Sequence, residues 1–120
     1  MKLKTIDPSS LKKRLDEGNA LLIDVREASE YADEHIPGAR LVPLSRIAVE
    51  EFGDDGQKAA VFYCRSGART DVNSKLLLSK GFSEAYGLSG GIIAWKTAGL
   101  PTQSGRGHQD DIRRKRFWLF

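Results

Sequence analysis

Ala59-Ala60-Val61-Phe62-Tyr63-Cys64-Arg65-Ser66-Gly67-Ala68-Arg69-Thr70 is an apolar run that stops at a cysteine and at once turns polar. The run reads as a buried strand. Val72, Leu76, Leu77 and Leu78 beyond it read as the apolar positions of a helix that stops at Gly81. The only cysteine of the chain therefore stands on a strand-to-helix turn. Such a turn favours anions, because the first N–H groups of a helix lack intrahelical acceptors and the helix dipole places partial positive charge at the same end. Arg65 and Arg69 flank the turn, each a permanent cation with a fork matched to oxyanions, and Gly67 lets the backbone bend sharply with its amides inward. A lone cysteine in a globular chain is most often a small buried hydrophobe. Arg-Ser-Gly-Ala-Arg, however, is poor core sequence and good oxyanion-cradle sequence. Cys64 is thus read as a reactive thiol whose thiolate the cationic neighbours favour.

Working outward, the segments before and after this turn alternate between strand and helix. Leu11 and Leu15 lie four apart, with Asp7 placed to cap a short helix, Pro8 at its first position and Gly18 as its stop. Leu21 to Val25 is a continuous apolar run, as in a buried parallel strand. A helix from Arg26 to Asp33, a turn at His35-Ile36-Pro37-Gly38-Ala39, a short strand Arg40-Leu41-Val42-Pro43 and a helix from about Ser45 to Glu51 follow. The polar turn Gly53-Asp54-Asp55-Gly56 precedes the cysteine strand; Ala85-Tyr86-Gly87-Leu88 is a last, weak strand, and Gly90-Gly91-Ile92-Ile93-Ala94-Trp95 opens a closing helix. This alternation argues for an α/β domain with a mostly parallel sheet. Ligands of such sheets bind beyond the carboxyl ends of the strands, where Cys64 lies.

The 120 residues suffice for one domain; 40% are hydrophobic and 29% charged, as in a globular protein and unlike a disordered chain. No apolar run approaches the length of about 20 that spans a bilayer, so no transmembrane segment is expected. The first eight residues lack the apolar segment of a signal peptide, which favours a cytoplasmic location. The net charge of +3 belongs to the end of the chain: residues 1–105 carry 14 basic and 14 acidic side chains, while 106–120 carry 5 and 2. The folded part gives no warrant for a nucleic-acid partner. One cysteine allows no internal disulfide, no resolving thiol and no cysteine-rich metal site. No cofactor and no metal site is expected, since no arrangement of His, Asp and Glu has metal spacing.

Four stretches in order carry a resemblance: Leu22-Ile23-Asp24-Val25-Arg26-Glu27; Tyr31 with Glu34-His35-Ile36-Pro37-Gly38-Ala39; the Cys64 turn; and Gly90 to Trp95 with Gly99-Leu100-Pro101. Together they closely resemble the single-domain rhodaneses, the thiosulfate sulfurtransferases, over about residues 5 to 101. The resemblance implies a rhodanese-like fold, a central mostly parallel sheet flanked by helices on both faces, as a domain over 1–103; the basic and aromatic extension, 104–120, departs from the family's pattern. It implies an enzyme that moves a sulfane sulfur from thiosulfate or a related donor, through a Cys64 persulfide, to cyanide or another thiophilic acceptor. A protein could also serve as donor or acceptor.

The residues suit that chemistry. Sulfite departs from thiosulfate as a weakly basic anion, so the absence of histidine and carboxylate from the turn is acceptable. Arg65 and Arg69 are expected to position the donor's sulfonate, and the backbone amides of Ser66, Gly67, Ala68, Arg69 and Thr70 to hold the persulfide. The hydroxyls of Ser66 and Thr70 could add hydrogen bonds or serve only as turn and cap groups. Two other readings stand beside this one. A non-catalytic or sulfur-relay interaction module of the same family would share the sequence. A cysteine-based phosphatase or arsenate reductase is less favoured, because only four residues separate Cys64 from Arg69 where such phosphatases have five, and an alkoxide leaving group wants an acid. Asp71, the nearest, reads as a first-turn helix carboxylate.

Other polar residues take structural readings. Asp24 and Arg26 are expected to tie neighbouring loops together, His35 to be a satisfied loop histidine, Gly90 and Gly91 to form a tight turn facing the active loop, and Trp95 to pack in the core. The extension ends Arg113-Arg114-Lys115-Arg116-Phe117-Trp118-Leu119-Phe120, which could dock on the domain, a partner or an anionic surface, or simply be solvated.

Overall fold

In the computed structural model, which describes residues 2–53 and 58–105, Asp7 caps the first helix as expected. Its side chain accepts the Ser10 N–H and Pro8 opens helix α1, Pro8–Asp16. Gly18 turns the chain with φ 69°. The strands are β1 Lys4–Ile6, β2 Ala20–Asp24, β3 Arg40–Leu41, β4 Ala59–Tyr63 and β5 Glu84–Leu88. Between them lie α2 Ala28–Asp33, α3 Leu44–Ile47, α4 Ala68–Val72 and α5 Ser74–Leu78, and α6 Gly91–Thr97 closes the fold.

All five strands are parallel, in the order β1-β5-β4-β2-β3. Every parallel neighbour needs a crossover, and the crossovers cover both faces of the sheet. β4 shows why: Val61 and Tyr63 pack on one side with Leu11, Leu22, Tyr31, Ile92 and Trp95. Ala60, Phe62 and Cys64 pack on the other with Ile23, Val25, Ile47 and Leu77. Because side chains alternate along a strand, β4 is buried at all five positions. Asp24 lies in register with Tyr63 and Phe62 with Gly87. The carboxyl ends of β2, β4 and β5 are therefore level, and the turns that follow them meet.

Three local readings differ from the structure. β1 is an added edge strand, in register with Tyr86 to Leu88. The helix after Cys64 is two short helices broken at Asn73, whose amide donates to the Arg69 carbonyl at 2.7 Å while the Ser74 hydroxyl donates to that of Asp71 at 2.8 Å. Such side chains offer the backbone an alternative to helical pairing. The helix expected at 45–51 is the single turn α3. Most of the polar turn at 53–56 and all of the tail from 106 onward lie outside the described residues. Chain just beyond 103 is still tied to the domain: Gln103 pairs with His35 through both backbone groups, and the Gly105 N–H donates to the Ala32 carbonyl at 2.8 Å.

Candidate active site

Cys64 leaves the end of β4 directly into the turn, with 1% of its surface exposed. Its sulfur accepts the Gly67 N–H at 3.1 Å. That geometry depends on Gly67, which takes φ 98°, a conformation costly for any residue with a Cβ. The turn is also clamped from outside by α6. Ile92 and Ile93, at its first turn, donate their N–H groups to the carbonyls of Cys64 and Arg65 at 3.0 and 3.1 Å. These helix-end donors have no intrahelical acceptor, so α6 holds the two carbonyls away from the turn's centre. Gly90 and Gly91 do face the active loop, as expected.

The expected cradle divides into residues with different duties. Arg65, Ser66 and Ala68 are exposed, and Arg65 has no side-chain partner among the described residues. Ser66, Gly67, Ala68 and Thr70 border a cleft of about 390 Å³ shared with Gly87, Ser89 and Gly90. Thr70 is buried, and its hydroxyl donates to the Gly67 carbonyl at 2.9 Å, so it braces the turn. A larger hollow, about 680 Å³, lies at the opposite end of the sheet between Lys13, Lys58 and Glu84, remote from the thiol.

Arg69, expected to position the donor's sulfonate, is held by a carboxylate that the sequence reading does not include. Nη1 and Nη2 each donate to one oxygen of Glu30 at 2.9 Å. Glu30 is not legible as a site residue, since it sits on α2 and nothing local in the sequence joins it to Arg69. The Arg69 bonds hold its carboxyl down from the ordinary 4.5 to about 2, with the Glu27 N–H adding to the effect. A depressed folded value means that the pair's stabilisation is complete above about pH 4.5 and is lost as the pH falls toward 2. The urea midpoint of Glu30→Gln should accordingly fall less steeply than wild type between about pH 5 and 2.5. Equal slopes would remove the pair from the acid response.

The surrounding polar residues are structural. Arg26 donates from Nε and Nη2 to Asp24 at 3.0 and 2.7 Å and from Nη2 to the Glu34 carbonyl at 2.6 Å, with both members of the Asp24–Arg26 pair buried. Burial, with the Asp24 charge second, pushes the neighbouring Tyr63 phenol well above its usual range, so it stays neutral. It accepts the Ile36 N–H at 3.1 Å. His35 is fully buried, stacked on Tyr31 at 3.7 Å with one ring nitrogen on the Tyr31 carbonyl and the other on Gln103, a satisfied histidine as read. Trp95 is buried and donates to the Pro101 carbonyl. Asp71 pairs with Lys2 at the surface. Among the described residues no group of three metal-ligating side chains occurs, and no helix is long and apolar enough to cross a membrane.

Known proteins resemble this chain in sequence and fold. The family described as "Rhodanese-like domain" matches residues 7–98. The chain is 39% identical over 97 residues to a sulfurtransferase from Allochromatium vinosum, with 80% of this chain and 91% of that protein covered. It is also 39% identical over 98 residues to an uncharacterized protein from Synechocystis sp., covering 82% of this chain but 55% of that one, so it spans about half that relative's length. The solution structure of a rhodanese-like domain from Anabaena sp. matches with a TM-score of 0.70 at 31% identity, covering 87% of this chain and 80% of that one.

Proposed function

Because the chain belongs to the rhodanese-like domain family, we propose that it is a sulfurtransferase whose Cys64 carries the transferred sulfur as a persulfide. The observation that carries this reading is the sulfur of Cys64 receiving the Gly67 N–H inside the turn, next in sequence to an exposed Arg65 whose side chain has no partner among the described residues. Cys64 thiolate attacks the outer sulfur of thiosulfate or a related donor. The S–S bond of the donor breaks, its electron pair leaves with sulfite, and the negative charge stays on the enzyme as the persulfide. A thiophile such as cyanide then takes the outer sulfur, leaving as thiocyanate and restoring the thiolate.

Each duty falls to a residue of the turn. Arg65, exposed at the turn, holds the departing sulfonate at the surface while the donor's outer sulfur reaches the thiol. The amides from Ser66 to Thr70 hold the persulfide charge. Sulfite and thiocyanate are weak bases, so no proton donor is required, in keeping with a histidine and an Asp71 that are engaged elsewhere. A protein donor or acceptor thiol would use the same persulfide, which makes sulfur relay the same chemistry with different partners.

Intact mass after exposure to thiosulfate tests this directly. Wild type should gain the mass of one sulfur, discharge it as thiocyanate on adding cyanide, and lose both responses in Cys64→Ser. A wild-type chain that takes up no sulfur from thiosulfate, 3-mercaptopyruvate or a low-molecular-weight persulfide sinks the proposal.

A further inference from the structure

Glu30 has no part in the steps above, yet both its oxygens are spent on the arginine of the active turn. Oε1 takes Arg69 Nη1 and the Glu27 N–H, at 2.9 and 3.1 Å, and Oε2 takes Arg69 Nη2 at 2.9 Å. The carboxylate is thus fixed from its own helix and does not depend on Arg69 for its place. Across the working pH range it is fully charged, given a carboxyl held at about 2. The side chains are only partly buried, 39% exposed for Arg69 and 31% for Glu30, so solvent and anions reach the pair. A tetrahedral dianion that seeks the terminal nitrogens of Arg69 meets a carboxylate already on them.

We infer that Glu30 sets the charge selectivity of the site by competing with anionic donors for the Arg69 fork. The inference rests on the sulfurtransferase reading for the identity of the donor. With Arg69 withheld, Arg65 is the guanidinium of the turn without a partner among the described residues, so doubly charged donors are held loosely and sulfite is released readily. Glu30 is a positioning residue: it acts through Arg69 and touches neither sulfur. The Arg26 charge lies nearby but is committed to the Asp24 carboxylate, and Lys96 is committed to Glu34. Neither substitutes for Arg69.

Removing one full charge a few ångströms from a bound dianion, in a partly exposed site, changes its affinity by about tenfold. The probe is sulfate, an inert tetrahedral dianion, and the readout is its protection of Cys64 against alkylation by iodoacetamide, which is neutral. Wild type, Glu30→Gln, Arg69→Ala and the double variant complete a cycle. Glu30→Gln should tighten sulfate protection about tenfold and lower KM for thiosulfate; in the Arg69→Ala background the gain should vanish. Unchanged or weaker protection in Glu30→Gln, an equal gain with and without Arg69, or no protection by sulfate in any variant overturns the inference. Alkylation needs no sulfur transfer, so failure of the persulfide experiment would sink the function and leave this result standing.

Discussion

Gly91→Ala is expected to lower stability by roughly 2–5 kcal/mol and to reduce sulfur loading of Cys64 by about a hundredfold. A Cβ on Gly91 would lie 2.4 Å from the Arg65 carbonyl oxygen and 2.5 Å from that of Cys64. Those atoms are backbone and are the ones that α6 anchors, so the clash cannot be relieved by a rotamer change. Overpacking of this kind costs about 1–3 kcal/mol. Gly91 also has φ 60°, where a side chain adds about 1–2 kcal/mol. The activity loss follows because the loop has to move, and a displacement of about 1 Å at a reacting group can cost a hundredfold.

Gly99→Ala separates the two contributions. Gly99 also has positive φ, 79°, but a Cβ there would meet nothing within 4 Å, so that variant should lose only about 1–2 kcal/mol and load sulfur normally. Denaturant unfolding and intact mass on both variants check the pair. If Gly91→Ala behaves like Gly99→Ala, the clamp between α6 and the active turn is not what holds the turn in place.

That clamp also shows where sequence reasoning succeeds. The run Ala59 to Tyr63 followed by Cys64-Arg65-Ser66-Gly67 states its own local structure, because burial, the break in hydrophobicity and the glycine are all contiguous. The parallel sheet follows from the alternation of such runs with helices. β1 escapes such a reading because three residues, of which Lys4 and Thr5 are exposed, carry no periodicity; what makes it a strand is the edge of β5. The break at Asn73 is readable in principle, since Asn and Ser side by side compete for backbone groups, but the leucines that follow suggest continuity. The pairing of Arg69 with Glu30 has no local trace. Spacing can place a guanidinium at a turn, whereas its partner is chosen by how α2 lies against α4, a consequence of the whole fold. The sequence therefore suggests two arginines for the donor's sulfonate, whereas Arg69 is engaged by Glu30 and Arg65 has no side-chain partner among the described residues.

The second large effect is expected at Asp24. Asp24→Ala should cost about 3–5 kcal/mol, because it leaves the Arg26 guanidinium in a site where Asp24 is 0% and Arg26 5% exposed without its carboxylate. At this chain length that corresponds to a fall in Tm of roughly 10–20 °C. The sign reverses the usual intuition about ion pairs, since the pair itself need not be stabilising. Replacing both members, Asp24→Leu with Arg26→Met, should recover most of the loss, as paired buried charges exchanged for apolar groups of similar size are often neutral. The site's resistance to dianions should not recover with it. Arg26 also holds the Glu34 carbonyl at the end of α2, and Asp24 receives the Arg26 N–H at 2.9 Å where the chain enters that helix. Both ends of the helix that carries Glu30 are thereby set by this pair. A double variant that melts near wild type yet no longer resists sulfate binding would show that the buried charges orient α2 toward Arg69. A double variant as unstable as Asp24→Ala would mean that the apolar pair does not fit the site. A single variant costing less than about 1 kcal/mol would mean that water reaches Arg26 and that the pair does not govern the geometry of the active turn.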